Sequence, residues 1–322
     1  MSAKRFNSHI DGLQNDTDLG VDNAFIDLIL ATTPDASNSQ PFGTSLLSSA
    51  VLDGLSFDAG THGSGGSGGG GGGKPGGGGS LPTTYTSGSS NVDDSQEFNI
   101  QIHFSGSWTA AQQADVIDAA NAWSRIITAD IHDDLDLNGK LVDDIVIDLS
   151  IGRIDGSGSI ITGVNTLATT SNVVVRDATA QDPWLPLTAS IKLDATDLKN
   201  PDLAGLWPAI IMHEMGHALG FAGPIFQQLG LVDGAHNFIG TNAVSAYGGV
   251  VPLTTDDSHW SETSFAPKGV SQSGDLMTTL FALGQQTVLS DTTVQAFADL
   301  GYHVTDPSPG SDTLFLDNLW LV

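Results

Sequence analysis

Apolar and polar residues alternate in two places beyond residue 90. Phe98, Ile100, Ile102 and Phe104 form the first set, and Ile145, Ile147, Leu149 and Ile151 the second. A period of two predicts half-buried strands. Between them, Val116, Ala120, Trp123 and Ile127 recur at helical spacing after Thr109-Ala-Ala-Gln112, a capping-box pattern. Shorter strands are predicted over 172–176 and 189–193. Pro208 to Leu219 reads as a helix, with proline in its first turn and Gly220 placed to end it. A last helix is predicted over 291–300, capped by Ser290 and closed by Gly301. Near the start, residues 21–31 (VDNAFIDLILA) predict a short amphipathic helix, and 46–57 are mildly apolar. The order strand, helix, strands, helix, then a long irregular segment predicts an α+β domain of two lobes.

Glycine divides this pattern into parts. Thirteen of the 39 glycines fall between Gly63 and Ser80, a composition that behaves as a flexible coil. The expected organisation is a weakly ordered leader or propeptide over 1–62 and a Gly/Ser-rich linker over 63–90. A folded domain over 91–306 and a tail over 307–322 follow. The Gly-run is no phosphate loop, because Pro75 follows Lys74 where that motif needs Ser or Thr.

Charge narrows the partners. Ten basic side chains face 37 acidic ones, for a formal charge of −27. So few cations cannot neutralise a phosphate backbone, which excludes a nucleic-acid partner, and anionic lipid would repel the chain. No run of 18 apolar residues is present, so no membrane span is expected. The start lacks the apolar core of a secretory signal. The absence of cysteine removes disulfides, thiolate nucleophiles and cysteine-based metal sites. Among the acids only Glu97, Glu214 and Glu262 are glutamate. The rest are Asp, which favours caps, turns and hard-cation sites.

The chemistry concentrates in His213-Glu214-Met215-Gly216-His217-Ala218-Leu219-Gly220-Phe221. Two histidines four apart share a helix face and can reach one cation. Glu214 beside them can take a proton from water whose pKa zinc has lowered to about 7. Ile210-Ile211-Met212 precede this string, and idle polar groups in so apolar a helix would be costly to bury. A third ligand is needed. The extended form of the pattern would place His at 223, where this chain has Gly223. His236, His259, His303 and Glu262 are the downstream candidates, and Asp is not excluded.

The stretch from this helix to His303 resembles the bacterial leishmanolysin-like zinc metallopeptidases, a branch of the metzincins. The matching strings are HEMGHALGF (213–221), GTNAVSAYGG (240–249), SHWSETSF (258–265), GDLM (274–277) and FADLGYHV (297–304). Upstream, FNIQIHFSGSWTAAQQ, VDDIVIDLSIGRIDGSGS and the 186–200 region are also similar, so the resemblance covers roughly residues 96–304. It implies a two-lobed metzincin-like domain, its active-site helix between a mixed sheet and an irregular C-terminal lobe. It further implies His259 as third zinc ligand, Met277 as the methionine platform under the metal, and Glu214 as general base and acid. The implied activity is zinc-dependent hydrolysis of protein or peptide substrates. Asp275 departs from the Glu that usually precedes Leu-Met. Val244 stands where a different zinc-peptidase class carries a ligand Asp, which rejects that class.

Three further expectations attach to this reading. Asp134, Asp136 and Asn138 resemble the front of a calcium loop, although Ile145 stands where a bidentate acid belongs and a solvated turn is the default. The tail SDTLFLDNLWLV reads as a final strand, and is also similar to C-terminal signals read by type I export machinery. With no N-terminal signal and an acid-rich, cysteine-free composition, a secreted protein is expected. A catalytically silent secreted binding or adhesion module, or another zinc amide hydrolase, are the alternative functions.

Overall fold

The computed structural model of the chain describes residues 4–5, 26–31, 81–89, 91–155, 166–267, 274–282, 287–305 and 313–315. Residues 1–32 and 81–322 belong to one unit, and 33–80 to another. The Gly-run, most of the leader, and the tail apart from 313–315 lie outside the described residues.

Two strands come from the leader, β1 (Lys4–Arg5) and β2 (Ile26–Ala31). Then follow β3 (Thr84–Thr86), β4 (Ile100–Ser105), the hairpin β5 (Asp134–Leu135) and β6 (Leu141–Val142), and β7 (Ile145–Gly152). β8 (Thr166–Val175) and β9 (Pro186–Asp194) complete this half. Short strands follow: β10 (Asn237–Phe238), β11 (Val251–Pro252), β12 (Gly274–Asp275), β13 (Leu280–Ala282), β14 (Thr287–Ser290) and β15 (Thr313–Phe315). The helices are α1 (Ala110–Ile126), α2 (Trp207–Ala218), α3 (Gly223–Gln228), α4 (Thr241–Tyr247) and α5 (Asp291–Leu300).

Among the described residues one mixed sheet runs in the order β13-β2-β8-β9-β7-β4-β3, with β1 also on β8. β4, β7 and β9 are mutually parallel, and β8 is antiparallel to β9. Alternate residues of the parallel strands, including Ile100, Ile102, Ile145, Ile147, Leu149, Ile191 and Leu193, are buried in one core with α1 and α2. The α+β class expected from periodicity is therefore the one observed. α1 begins as its pattern predicts. Thr109 accepts the Gln112 amide, and the Gln112 side chain accepts the Thr109 amide, a reciprocal cap of about 1 kcal/mol. The Trp123 indole N–H then donates to the Met212 carbonyl at 3.0 Å and joins α1 to α2.

Three elements differ from expectation. Residues 26–31 form a strand rather than part of a helix. An eleven-residue helix is marginal alone, whereas β2 is paired on both sides, antiparallel to β8 and parallel to β13. β8 starts at Thr166, six residues before the predicted strand. A register shift falls between Ser171 and Val174, and Asn172 has φ +52°. That bulge separates a Thr-rich first half, which carries Leu167 and Ala168, from the Val173–Val175 run that marks the strand in sequence. Third, β3 lies inside the 63–90 segment expected as linker, paired antiparallel with β4.

The segment expected to be irregular contains α3, α4 and the short strands. The Asp299 carboxylate on α5 accepts the Asn242 and Ala243 amides, both at 2.9 Å, and so caps the start of α4. β15, in the tail, pairs antiparallel with β14. Among the described residues no helix is long and apolar enough to cross a membrane.

Candidate metal centre

α2 is apolar along its whole length, and its buried residues include His213, Glu214 and His217, each fully inaccessible. Each histidine on the helix is aimed by a backbone carbonyl. His213 Nδ1 donates to Leu276 O at 2.5 Å, and His217 Nδ1 donates to Phe221 O at 2.6 Å. The second bond exists because the chain reverses at Gly220 (φ +106°), returning the Phe221 amide to Gly216 O. A carbonyl can only accept, so both Nδ1 atoms carry the proton and both Nε2 atoms present lone pairs.

His259 arrives from 42 residues away. It lies in a tight turn in which Thr254 N donates to His259 O at 2.9 Å and Asp257 adopts a left-handed φ of +61°. Directly after it, Trp260 N donates to Met277 O at 2.9 Å, which fixes the segment beside the 275–278 turn. The Trp260 indole is buried and donates to Thr293 Oγ1 at 2.7 Å. Gly223 lets this turn approach. A Cβ at 223 would collide with the Asp256 carbonyl, and the Gly223 amide instead donates to Ser258 Oγ at 3.2 Å.

The three rings converge. His217 Nε2 lies 2.9 Å from His213 Nε2 and 3.1 Å from His259 Nε2. Burial, reinforced by neighbouring His259, holds His213 down at about 3, and burial holds His259 at about 4. His217 is pushed well below its ordinary value by burial and then by the other two rings. The imidazoles are therefore neutral at pH 7. Two bare Nε2 lone pairs of neutral rings facing each other at 2.9 Å repel, and no proton is available to bridge them. A divalent cation relieves this. Zn–N distances of about 2.0–2.1 Å in a tetrahedron separate nitrogens by about 3.3 Å, a few tenths beyond the separations here. Three buried, neutral imidazoles, with the far nitrogens of His213 and His217 hydrogen-bonded to carbonyls, are a donor set that suits zinc.

Around this centre stand residues of unequal legibility. Met277 is fully buried beneath α2. A Cβ on Gly216, between the two helix histidines, would meet Met277 Sδ at 2.7 Å, so glycine there permits the close approach. Asp275 Oδ1 accepts Met277 N at 2.8 Å and Thr293 Oγ1 at 2.7 Å, and Oδ2 accepts Ser290 N at 3.1 Å. Burial raises its pKa, opposed by the hydrogen bonds from Ser290, Met277 and Thr293. Thr170 on β8 has its hydroxyl 2.6 Å from Glu214 Oε2 and 2.9 Å from Glu214 O. Nothing in the sequence marks Thr170 or Thr293, since both contacts join distant elements.

The other candidates lie elsewhere. His236 Nδ1 pairs with Asp257 Oδ1 at 2.8 Å and so braces the turn before His259. His303 and Glu262 are exposed. Among the described residues, the groups close enough to share a cation are His213–His217–His259 and Asp155–Asp194–Asp197. Neither contains the expected calcium residues. Asp136 Oδ1 instead accepts the Asn138 and Lys140 amides, both at 2.8 Å, as a self-closed turn. Asp194 likewise accepts the Ile154 and Thr196 amides.

Searches against models of known protein families and against curated proteins return no match for this chain.

Proposed function

We infer that the chain is a zinc-dependent endopeptidase of metzincin-like construction, acting outside the cell. The observation that carries the reading is the convergence of three neutral, buried histidines beside the single glutamate of the same helix. His213, His217 and His259 would hold the metal. When bound, zinc supplies Lewis acidity toward a carbonyl and lowers the pKa of water to about 7. Glu214 acts as general base toward the attacking water and then as general acid toward the leaving amine. Thr170 orients its carboxylate by donating to Oε2. Met277 packs under the helix turn between His213 and His217 and keeps both rings at a fixed height. The acid-rich, cysteine-free composition supports export, and the likeness of the tail to type I signals names the route. Deleting the last dozen residues should abolish export.

The deciding experiment is Glu214→Gln. This variant should retain one zinc per chain by metal analysis and lose at least about 100-fold in hydrolysis of an unstructured protein such as casein. Undiminished turnover in Glu214→Gln would refute the assignment of the base. A zinc-free wild-type chain would refute the metal centre.

A further inference from the structure

β5 and β6 pair only with each other among the described residues, with Cα partners Asp134↔Val142 and Leu135↔Leu141. Successive pairs on such a ladder point to opposite faces. Val142 points inward and is buried with Val146, Val174 and Leu187, in a cluster separate from the main core. Val146 lies between Ile145 and Ile147, which are buried in the core with α1 and α2. The hairpin therefore covers the other face of the sheet, away from the metal centre. Leu135 and Leu141 point outward, 41% and 60% exposed, and Leu137 at the tip is 52% exposed. Among the described residues seven large apolar side chains stand exposed, and three of them are on this hairpin. That concentration makes a patch, where single exposed leucines would need no explanation. One step further along the register, Asp133 and Asp143 share the outward face, and their side chains are hydrogen-bonded to each other. Asp143 is pushed up to about 6, first by burial and then by Asp133, Asp130 and Asp94. Between residues 133 and 143 the one cation is Lys140.

A leucine surface that ends in crowded carboxylates is complementary to apolar side chains set beside a cation. A second copy of the chain would bring acid onto acid at a formal charge of −27 each, and anionic lipid would do the same. A guanidinium fits the acid end, because its planar fork can engage carboxylates with paired hydrogen bonds and relieve their repulsion. The surface is also formed in advance. Asp136 N donates to Lys140 O at 2.8 Å, and Asp136 Oδ1 accepts the Asn138 and Lys140 amides, so the tip that carries Leu137 is fixed without a partner. We propose that the outward face of the β5–β6 hairpin is a docking surface for a basic, apolar segment of another protein. Leu135, Leu137 and Leu141 take its apolar side chains, and Asp133 with Asp143 takes an arginine. The inference is independent of the metal-centre reading, since the hairpin and α2 lie on opposite faces of the sheet.

The test uses the full chain and a labelled synthetic peptide that alternates leucine with arginine, followed by fluorescence anisotropy at about 0.15 M salt. Binding in the micromolar range is expected, and the counterpart peptide with glutamate for arginine should not bind. Leu135→Ser with Leu137→Ser and Leu141→Ser leaves the net charge unchanged and should weaken binding at least about tenfold. The three side chains are exposed, so this variant should keep a cooperative thermal melt. Asp133→Asn with Asp143→Asn tests the surface without touching the leucines and should weaken binding by as much. Asp115→Asn with Asp118→Asn removes two acids from α1, on the far side of the sheet, and should change the affinity less than about twofold. Peptide binding that survives the leucine substitutions, or that falls equally with either pair of acids, is general charge attraction and overturns the proposal. Equal binding of the glutamate peptide overturns it too. A dimer in sedimentation that the leucine substitutions abolish would make a second copy the occupant. Binding to phosphatidylcholine vesicles lost in the same variant would make it lipid, and either result refutes the basic partner.

Discussion

Asp275 offers the sharpest test of how the centre is held. Its carboxylate collects the Met277 amide, the Ser290 amide and the Thr293 hydroxyl, and that hydroxyl in turn accepts the Trp260 indole. One side chain thus ties the turn carrying Leu276 and Met277 to the start of α5 and to the residue after His259. Asp275→Ala strands three buried donors at about 1–3 kcal/mol each, so about 3–9 kcal/mol of stability should be lost. Asp275→Asn keeps one acceptor oxygen but turns an amide N–H₂ toward one donor, which should cost about 1.5–3 kcal/mol. Asp275→Glu keeps both carboxylate oxygens. Here it adds a methylene to a buried site already filled by three donors, an overpacking cost of about 1–3 kcal/mol. Urea denaturation of the metal-free chain measures all three, and thermal melts should move by about 2–4 °C per kcal/mol for a domain of this size. His213 donates to Leu276 O, so zinc affinity should fall in the same order as stability. If Asp275→Ala lies within about 0.5 kcal/mol of wild type, or is no worse than Asn, the three donors find other partners and the joint is misassigned.

Other consequences are more local. His259→Ala should lose stoichiometric zinc, while His236→Ala should keep it, because His236 pairs with Asp257 rather than joining the three rings; the reverse result in metal analysis would exchange their roles. Thr170→Val removes the donor 2.6 Å from Glu214 Oε2 and should lower kcat by about 10- to 100-fold, the kinetic equivalent of a charged hydrogen bond. Zinc content and KM should stay unchanged, and Thr170→Ser should restore the rate. Asp115 on α1 has its pKa raised to about 6, first by burial and then by Asp118. Its ionisation therefore costs nothing below about pH 4, and the cost grows through pH 6 and is complete above it. Asp115→Asn should leave the melting temperature unchanged at pH 4 and raise it at pH 8. The side chain is half-exposed, so solvent screening keeps the gain under about 1 kcal/mol. A larger gain at pH 4 than at pH 8 would reverse the sign of the argument.

What could be read in advance was what depends on neighbours in sequence. The period-two runs at 98–104 and 145–151, the Thr109 cap and the 207–218 helix each follow from residues within a few positions of one another. So does the pairing of His213 with His217 on one face. The strand at 26–31 was illegible because its partners lie near 170 and 280. In the first half of β8, only Leu167 and Ala168 are apolar, and Thr170 contacts Glu214, so no period-two alternation marks the strand. Among the downstream candidates only a resemblance singled out His259, and the physical reason lies at Gly223. Read alone, glycine at that position looks like the loss of a ligand. In the fold it is the condition for another one: any side chain at 223 would collide with Asp256, and the turn from Thr254 to His259 could not come close enough to α2. The glycine at 223 and the position of His259 are thus structurally linked. Gly223→Ala, which touches no ligand, should weaken zinc binding as His259→Ala does but leave His213 and His217 in place.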